Sequence, residues 1–414
     1  MGKNKKSPLF VIFTTVLVDL IGFGMVIPLV GLYGKHYGAS GFQLPILGGI
    51  YSFMQFFFSP FWGALSDRVG RRPIILISLA GSTASYVMFA LAPTFEWLLL
   101  ARAFGGIFAA NISAAQAYIA DVTLPEDRAK GMGLLGAAFG IGFTLGPPLG
   151  GIASAELGLA APGFIAAAIC GTNLLLAIFR LPESLPANIR KQNSAGARRS
   201  LSPLNLTQLT RAIKHPELGY LLLTFFFVTF AFSTMEQTFS LLFQSKFNLA
   251  TGDAGLKTGL VLMVSGLFGA FIQGGMIRKL VSKYGERNLL MSGLAFNFFT
   301  MGLFPYCPTY ALYFGLAIPV ALGSSLINPS ISSLISKCAG PKEQGATLGL
   351  SQGLGSLARA TGPFMGLLTF AISPELPYAI ASGISILLLI MCLKVFNNSR
   401  TFSQQSSSHI QATS

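Results

Sequence analysis

Apolar stretches of membrane-spanning length recur along nearly the whole chain, and this feature leaves few folds open. A helix needs about 20 mostly apolar residues to cross a bilayer. Twelve such helices are expected, at 8–33, 44–66, 73–92, 95–120, 131–155, 162–181, 217–243, 257–280, 287–306, 309–336, 343–371 and 375–396. Lipid offers no hydrogen-bond partners, so each run must satisfy its backbone internally, as an α-helix does. No stretch remains for a large soluble domain. The composition agrees, with 52% hydrophobic and only 10% charged residues and a mean hydropathy of +0.64, against roughly a quarter charged in soluble domains. Lys3, Lys5 and Lys6 precede the first run as in a signal peptide, but that run is too long and lacks a small-residue cleavage site. The expected class is an all-α membrane protein.

A net charge of +14 would suit a nucleic-acid binder, unless the basic residues are segregated by membrane side. They are. With the N-terminus inside, 23 of the 28 Lys and Arg fall on cytoplasmic segments, three (Lys35, Lys246, Lys257) on outer loops and two (Arg102, Arg359) within helices. This bias predicts both termini in the cytoplasm of a multi-pass protein of the cell membrane, and it removes the need for nucleic acid as partner. Cys170, Cys307, Cys338 and Cys392 are scattered, and His36, His215 and His409 lie in expected loops or tail. That pattern implies no disulfide framework and no metal site. No nucleophile–base pair and no nucleotide-binding loop is seen, so neither an enzyme nor a cofactor is expected.

The longest polar segment, 182–216, separates two halves: a six-helix bundle over 1–181 and another over 217–396, with a polar tail at 397–414 expected to be disordered. A shift of 216 residues lays "PEDRAKGMGLLGAAFGIGFTLGPPLG" (125–150) over "PKEQGATLGLSQGLGSLARATGPFMG" (341–366), matching Gly146-Pro147 with Gly362-Pro363 and Gly150 with Gly366. One residue off that shift, "DRVGRR" (67–72) lies over "SKYGER" (282–287). A duplicated six-helix unit is the signature of transporters that work by alternating access around a central cavity.

Four stretches carry a family resemblance. "GALSDRVGRRP" (63–73) resembles the loop signature of the major facilitator superfamily. "LLLARAFGGIFAAN" (98–111) resembles its helix 4 signature with an intramembrane arginine. "GLLGAAFGIGFTLGPPLGG" (133–151) is similar to the helix 5 signature of the antiporters, and "DLIGFGMVIP" (19–28) to helix 1 of the twelve-helix drug:proton antiporters, tetracycline-efflux proteins among them. The fold so implied is two pseudo-symmetric six-helix bundles.

In the first stretch Gly63, Asp67, Arg68, Gly70, Arg71 and Arg72 form the loop after helix 2. The arginines suffice as cytoplasmic anchors. An acid at a helix end beside three arginines, followed by a turn-permitting glycine, is arranged for directional ion pairs and end capping. The resemblance implies a conformational switch in which Asp67 with Arg71, and Asp121 at the inner end of helix 4, hold one cavity orientation. In the second half the acid position is Ser282, so that copy of the switch is expected to be weaker. Helix 5 carries Gly142, Gly146, Pro147 and Gly150, among other glycines. Tight packing is one reading; a helix bend at Gly146-Pro147-Pro148, which the resemblance associates with antiporters, is the other.

Asp19 sits ~17 Å into helix 1 at a ~1.5 Å rise per residue, near the bilayer centre. A carboxylate there is costly and easily neutralised, so it either carries protons or ties helix 1 to its neighbours by hydrogen bonds. Glu236 lies 217 residues on, near the symmetric position. Arg102 is a candidate counter-ion for either acid, and Arg359 either enters the cavity or snorkels. Asn111, Gln116, Gln237, Asn297 and Gln352 are cavity candidates with Arg359, as are Gln55, Asn173, Gln273 and Asn328, unless they serve as interhelical glue. The tetracycline exporters carry helix 3 and helix 9 aspartates and a helix 8 histidine; those places fall here on Ser85, Asn297 and Gly269. Neither serine nor amide offsets a buried cation, so metal-chelated tetracycline is not the expected substrate. The expected function is proton-coupled efflux of a small lipophilic or amphipathic compound by a monomer. Alternatives are proton-coupled uptake of a metabolite, or a sensor or scaffold that has lost transport.

Overall fold

The computed structural model describes residues 8–109, 111–123, 128–186, 188, 190, 210, 215–338 and 344–411; side chains are described for these except at 8, 60, 111–113, 128–137, 139, 216, 274, 344–346, 348, 349, 352 and 397–411. The described chain is helical throughout. In the first half the elements are α1 (Pro8–Val26), a 3-10 turn (Ile27–Leu29), α2 (Val30–His36), α3 (Gln43–Val69), α4 (Arg71–Ala90), α5 (Phe95–Phe108), α6 (Asn111–Val122), α7 (Arg128–Glu156) and α8 (Ala161–Arg180). The second half has α9 (Pro216–Phe247), α10 (Thr251–Phe271), a π turn (Ile272–Met276), α11 (Ile277–Leu303), α12 (Tyr310–Cys338), α13 (Gln344–Phe370) and α14 (Leu376–Gln411). Eight helices among the described residues are long and apolar enough to cross a membrane, or nine if the bent pair Gln43–Ser59 and Phe61–Val69 is one span.

Several expected helices differ in detail. Helix 1 runs on through the 3-10 turn at Pro28 to His36. Helix 4, expected as one run over 95–120, is described as two helices, α5 ending at Phe108 and α6 beginning at Asn111. A break inside a membrane bundle survives only if its freed carbonyls find donors, and each does: Trp62 Nε1 donates to Ile107 O (2.6 Å), Gln55 Nε2 to Ala109 O (3.1 Å), and the Ser78 hydroxyl to Phe108 O. α11 combines the end of helix 8 with helix 9 across a non-helical Gly285. α14 continues to Gln411, so the boundary expected at 396 is not a helix end; a nucleated helix propagates at little cost per residue.

One core cluster draws almost wholly on residues 12–181, and two others on 218–396. The sequence repeat reappears as a repeated contact. A methyl on Gly146 would lie 2.7 Å from Gly24 Cα and one on Gly150 2.1 Å from Met25 O, both against the first helix of the chain. Methyls on the counterparts Gly362 and Gly366 would lie 2.9 Å from Phe230 O and 2.5 Å from Thr234 O on α9. α7 is assigned as one helix through Pro147 and Pro148, and its glycines let backbones approach closely.

The halves meet at the ends remote from the linker. α7 packs on α10, where methyls on Gly151 and Gly259 would lie 2.6 Å from Gly255 O and from Pro147 O, and α3 packs on α13. Ser240 on α9 donates to Pro28 O across the halves (2.5 Å). Toward the linker, methyls on Gly63 and Gly140 would meet nothing within 4 Å. The close backbone approaches between the halves thus lie on α7 with α10 and α3 with α13.

Candidate functional site

Three groups of side chains stand out. At the linker end of the first half, α3 stops at Gly70, whose φ of 119° and ψ of 159° suit only a residue without a side chain. The reversal brings Arg71, only 7% exposed, over the end of α3. Its guanidinium contacts Asp67 (2.6 Å), Asp121 at the end of α6 (3.0 Å) and the Ser66 hydroxyl (2.6 Å). The expected trio of Asp67, Arg71 and Asp121 is thus brought together.

Glu183, which the sequence reading passed over, completes this group. Its carboxylate accepts from the backbone amides of Arg71 (2.9 Å) and Arg72 (3.3 Å), so it caps the N-terminus of α4, where anions are favoured. Ser184 donates to Asp121 (3.0 Å), so the segment after α8 is tied into the same group. Arg72 donates to Ile178 O (2.7 Å) on α8, and Arg68 is half-buried outside this network. The available signal was "LPESLP", an acid directly after a helix that ends in Arg180.

Deeper in the first half, Asp19 is 7% exposed and accepts from the Cys170 thiol of α8 (3.6 Å). Asn173, one turn along α8, donates to Thr15 O (2.8 Å), which fastens α8 to α1 and makes Asn173 interhelical glue. Asp19 also interacts electrostatically with Tyr51 and Tyr86, as does Arg102. The expected ion pair between Arg102 and an acid is not formed among the described residues. Arg102 instead lies 4.6 Å from the Tyr51 ring centroid, in a cation–π contact. The reason is geometric: α5 presents Arg102 to the α3–α4 seam, while Asp19 contacts α8.

In the second half Glu236 on α9 is 6% exposed and interacts electrostatically with Arg359 on α13. Arg359 is half-buried and donates to the Ser356 hydroxyl (3.3 Å), so it stays inside the bundle and does not snorkel. Each half therefore holds a buried acid and an intramembrane arginine, buried in the first half (Arg102) and half-buried in the second (Arg359). In the second half the two face each other; in the first they share two tyrosines.

The remaining candidates divide. Gln237 is buried with neither amide atom hydrogen-bonded among the described residues, as is Asn297 Oδ1. Gln116 is half-buried, and Asn328 is exposed. Gln273 donates to the Ser325 hydroxyl (3.4 Å). The side chains of Asn111 and Gln352 lie outside the described residues. Ser85 donates to Ala101 O (2.9 Å), and Gly269 sits beside Ser325. No group of three or more His, Cys, Asp or Glu suited to a metal ion occurs among the described residues.

The family model of the Major Facilitator Superfamily matches residues 12–363, and again 278–413. The tetracycline resistance protein, class C, of Escherichia coli is 31% identical over 94% of this chain and 96% of its own. Major facilitator superfamily domain-containing protein 10 of Mus musculus is 28% identical over 97% of this chain and 96% of its own. Among solved structures, the human organic anion transporter MFSD10 superimposes with a TM-score of 0.69 at 26% identity, over 94% of this chain and all of that one. A multi-pass chain of two pseudo-symmetric bundles with this coverage is a membrane transporter of small molecules, and it belongs to the major facilitator superfamily.

Proposed function

We propose that the chain exports a small amphipathic compound in exchange for protons, by alternating access, with both termini and the linker in the cytoplasm. One observation carries this reading: Asp19 and Glu236, buried on the first helix of each half, each share their surroundings with an arginine of the same half. A carboxylate held in so apolar a place changes charge when water or a cation reaches it. Taking a proton removes the acid's charge, and with it the attraction of Glu236 for Arg359; losing the proton restores it. Each transition then favours a different packing of the helices around the cavity, which is the differential interaction a conformational cycle requires. The Asp67–Arg71–Asp121 group, joined by Glu183, is the switch of this cycle: it holds one cavity orientation by fixing the linker ends of α3, α4 and α6.

Two of the similar proteins are named for tetracycline and for organic anions; both are small, partly apolar compounds, and the antiporter-like helix 5 favours export. The test is a substrate panel on proteoliposomes with an imposed pH gradient. At least one amphipathic compound is expected to move against its gradient in the wild-type protein. Asp19→Asn and Glu236→Gln are each expected to reduce that movement to the uncoupled background. Magnesium–tetracycline is expected not to move, because Ser85 and Asn297 supply no negative charge. Wild-type gradient-driven transport in both variants would remove the acids from coupling and overturn the reading.

A further inference from the structure

We propose that Cys170 is a positioning residue for the Asp19 site: its one S–H lies between two acceptors, the Asp19 carboxylate on α1 and the Leu79 carbonyl on α4, and turns from one to the other as Asp19 loses or takes a proton. This rests on the transport reading above and deepens it, because it passes the charge state of Asp19 to the helix that begins at Arg71.

Cys170 is fully buried where α8 meets both α1 and α4, with its Sγ 3.6 Å from Asp19 Oδ1 and 3.7 Å from Leu79 O. A thiol has one proton to donate and is a weak donor, so at nearly equal distances the charge of the acceptor decides. Leu79 O already accepts from the Thr83 hydroxyl (2.8 Å). An ionised carboxylate is the stronger acceptor, since hydrogen bonds to charged groups are roughly twice as strong as neutral ones. Protonated Asp19 loses that advantage and becomes a donor, whose O–H can point at Sγ, itself a weak acceptor. The S–H is then released to Leu79 O. Only the O–H bond of Asp19 forms or breaks; the row of hydrogen bonds from α1 through α8 to α4 reverses its direction.

The surrounding helices hold this row in register. Asn173 fastens α8 to α1 at Thr15 O (2.8 Å), and a methyl on Gly171 would lie 3.4 Å from Thr83 Cγ2 of α4. The other titratable groups acting around Asp19 are the Tyr51 phenol of α3 and the Tyr86 phenol of α4, on both of which Arg102 of α5 also acts. α7, which packs on α1, has no titratable residue between Lys130 and Glu156. On α6, Asp121 pairs with Arg71 and Tyr118 interacts with Glu183, both toward the linker end. Leu79 lies ~12 Å along α4 from Arg71 at a ~1.5 Å rise per residue. A contact that forms at Leu79 in one protonation state and not in the other therefore biases the helix that carries the Asp67–Arg71–Asp121 switch.

The experiment is infrared spectroscopy of the S–H stretch of the purified full chain at stepped pH. Subtracting the spectrum of Cys170→Ala isolates the Cys170 band from those of Cys307, Cys338 and Cys392. The band is expected to move to lower frequency as pH rises, because an ionised carboxylate weakens the S–H bond more than a carbonyl does. In Asp19→Asn, with the matching Cys170→Ala spectrum subtracted, it is expected to stay fixed. A functional arm separates positioning from packing. Cys170→Ala is expected to move the pH profile of gradient-driven transport upward by about half to one unit, the size of a weak donor's bond to a charge, and Cys170→Ser, which restores a donor, to bring it back. A Cys170 band that ignores pH in the wild type, or that moves as far in Asp19→Asn, would overturn the proposal, as would a pH profile that Cys170→Ala leaves in place. Should Cys170→Ala fail to fold, Cys170→Ser also lacks the S–H and identifies the band. A band that follows Asp19 while no compound of the panel is transported would sink the transport reading and leave this relay standing. Gradient-driven transport that needs Asp19, with a band blind to pH, would do the reverse.

Discussion

The turn between α3 and α4 in the first half and the turn at Gly285 in the second are built on the same backbone and opposite charges. Gly70 and Gly285 both take positive φ, with ψ of 159° and 154°. Each is followed by a charged residue that pairs with the linker end of a later helix: Arg71 with Asp121, and Glu286 with Lys337. Under the 215–216-residue repeat these are the same two positions with their signs exchanged. The acid missing at Ser282, whose hydroxyl bonds its own helix at Lys279 O (2.9 Å), therefore does not abolish the cross-helix pair. The depth differs as well. The Arg71 side chain is 8% exposed and that of Lys337 61%. Exposed pairs are worth about 0–1 kcal/mol, whereas removing one member of a buried pair costs about 3 kcal/mol or more. What the fold repeats is the turn and the tie between helices; what it does not repeat is the strength, and the first half carries the firmer lock.

That contrast is broken most severely at Arg71. Arg71→Ala leaves Asp67 and Asp121 without their shared cation, and transport in proteoliposomes is expected to fall about tenfold or more, with a lowered melting temperature. Normal transport and stability would reduce Arg71 to a cytoplasmic anchor. Next comes the pair of glycines. Gly70→Ala meets both an unfavourable φ and Glu183, whose Oε2 would lie 2.3 Å from the new methyl; Gly285→Ala meets the φ alone, with nothing within 4 Å. Stability measured by thermal unfolding should drop by about 2 kcal/mol or more in the first and about 1 kcal/mol in the second; equal losses would contradict the cap assigned to Glu183. The smallest effect is expected at the exposed pair. Lys337→Glu sets like charges together and should cost under about 1 kcal/mol, and the double variant with Glu286→Lys should restore wild-type behaviour. A double variant worse than the single one would mean that the polarity itself matters.

The fold was legible because its signal is repeated many times over. Apolar length, one-sided arginines and a Gly-Pro step at a fixed shift each report on the membrane, and Gly146 and Gly362 indeed occupy equivalent contacts against α1 and α9. Asp67, Arg71 and Asp121 were legible because charges are rare enough here that each invites a partner. Glu183 was not, since the inside rule weighs only Lys and Arg, and a residue 112 positions from Arg71 gives no local clue. The break between α5 and α6 was hidden for a related reason: it depends on Trp62, Ser78 and Gln55 from two other helices, none of which marks it in its own sequence. The sequence offers Arg102 only as a candidate counter-ion, since chemistry alone names the partner type, and the packing of α5 against Tyr51 shows where the guanidinium lies.

Proton exchange is the central claim, and the most direct test follows protons themselves. Proteoliposomes holding a pH-sensitive dye are given a gradient of a transported compound with no initial pH difference. The account predicts that the lumen changes pH as the compound moves, with protons travelling against it, and that Asp19→Asn and Glu236→Gln remove the pH change. Movement of the compound with the lumen pH unchanged in the wild-type protein would contradict it.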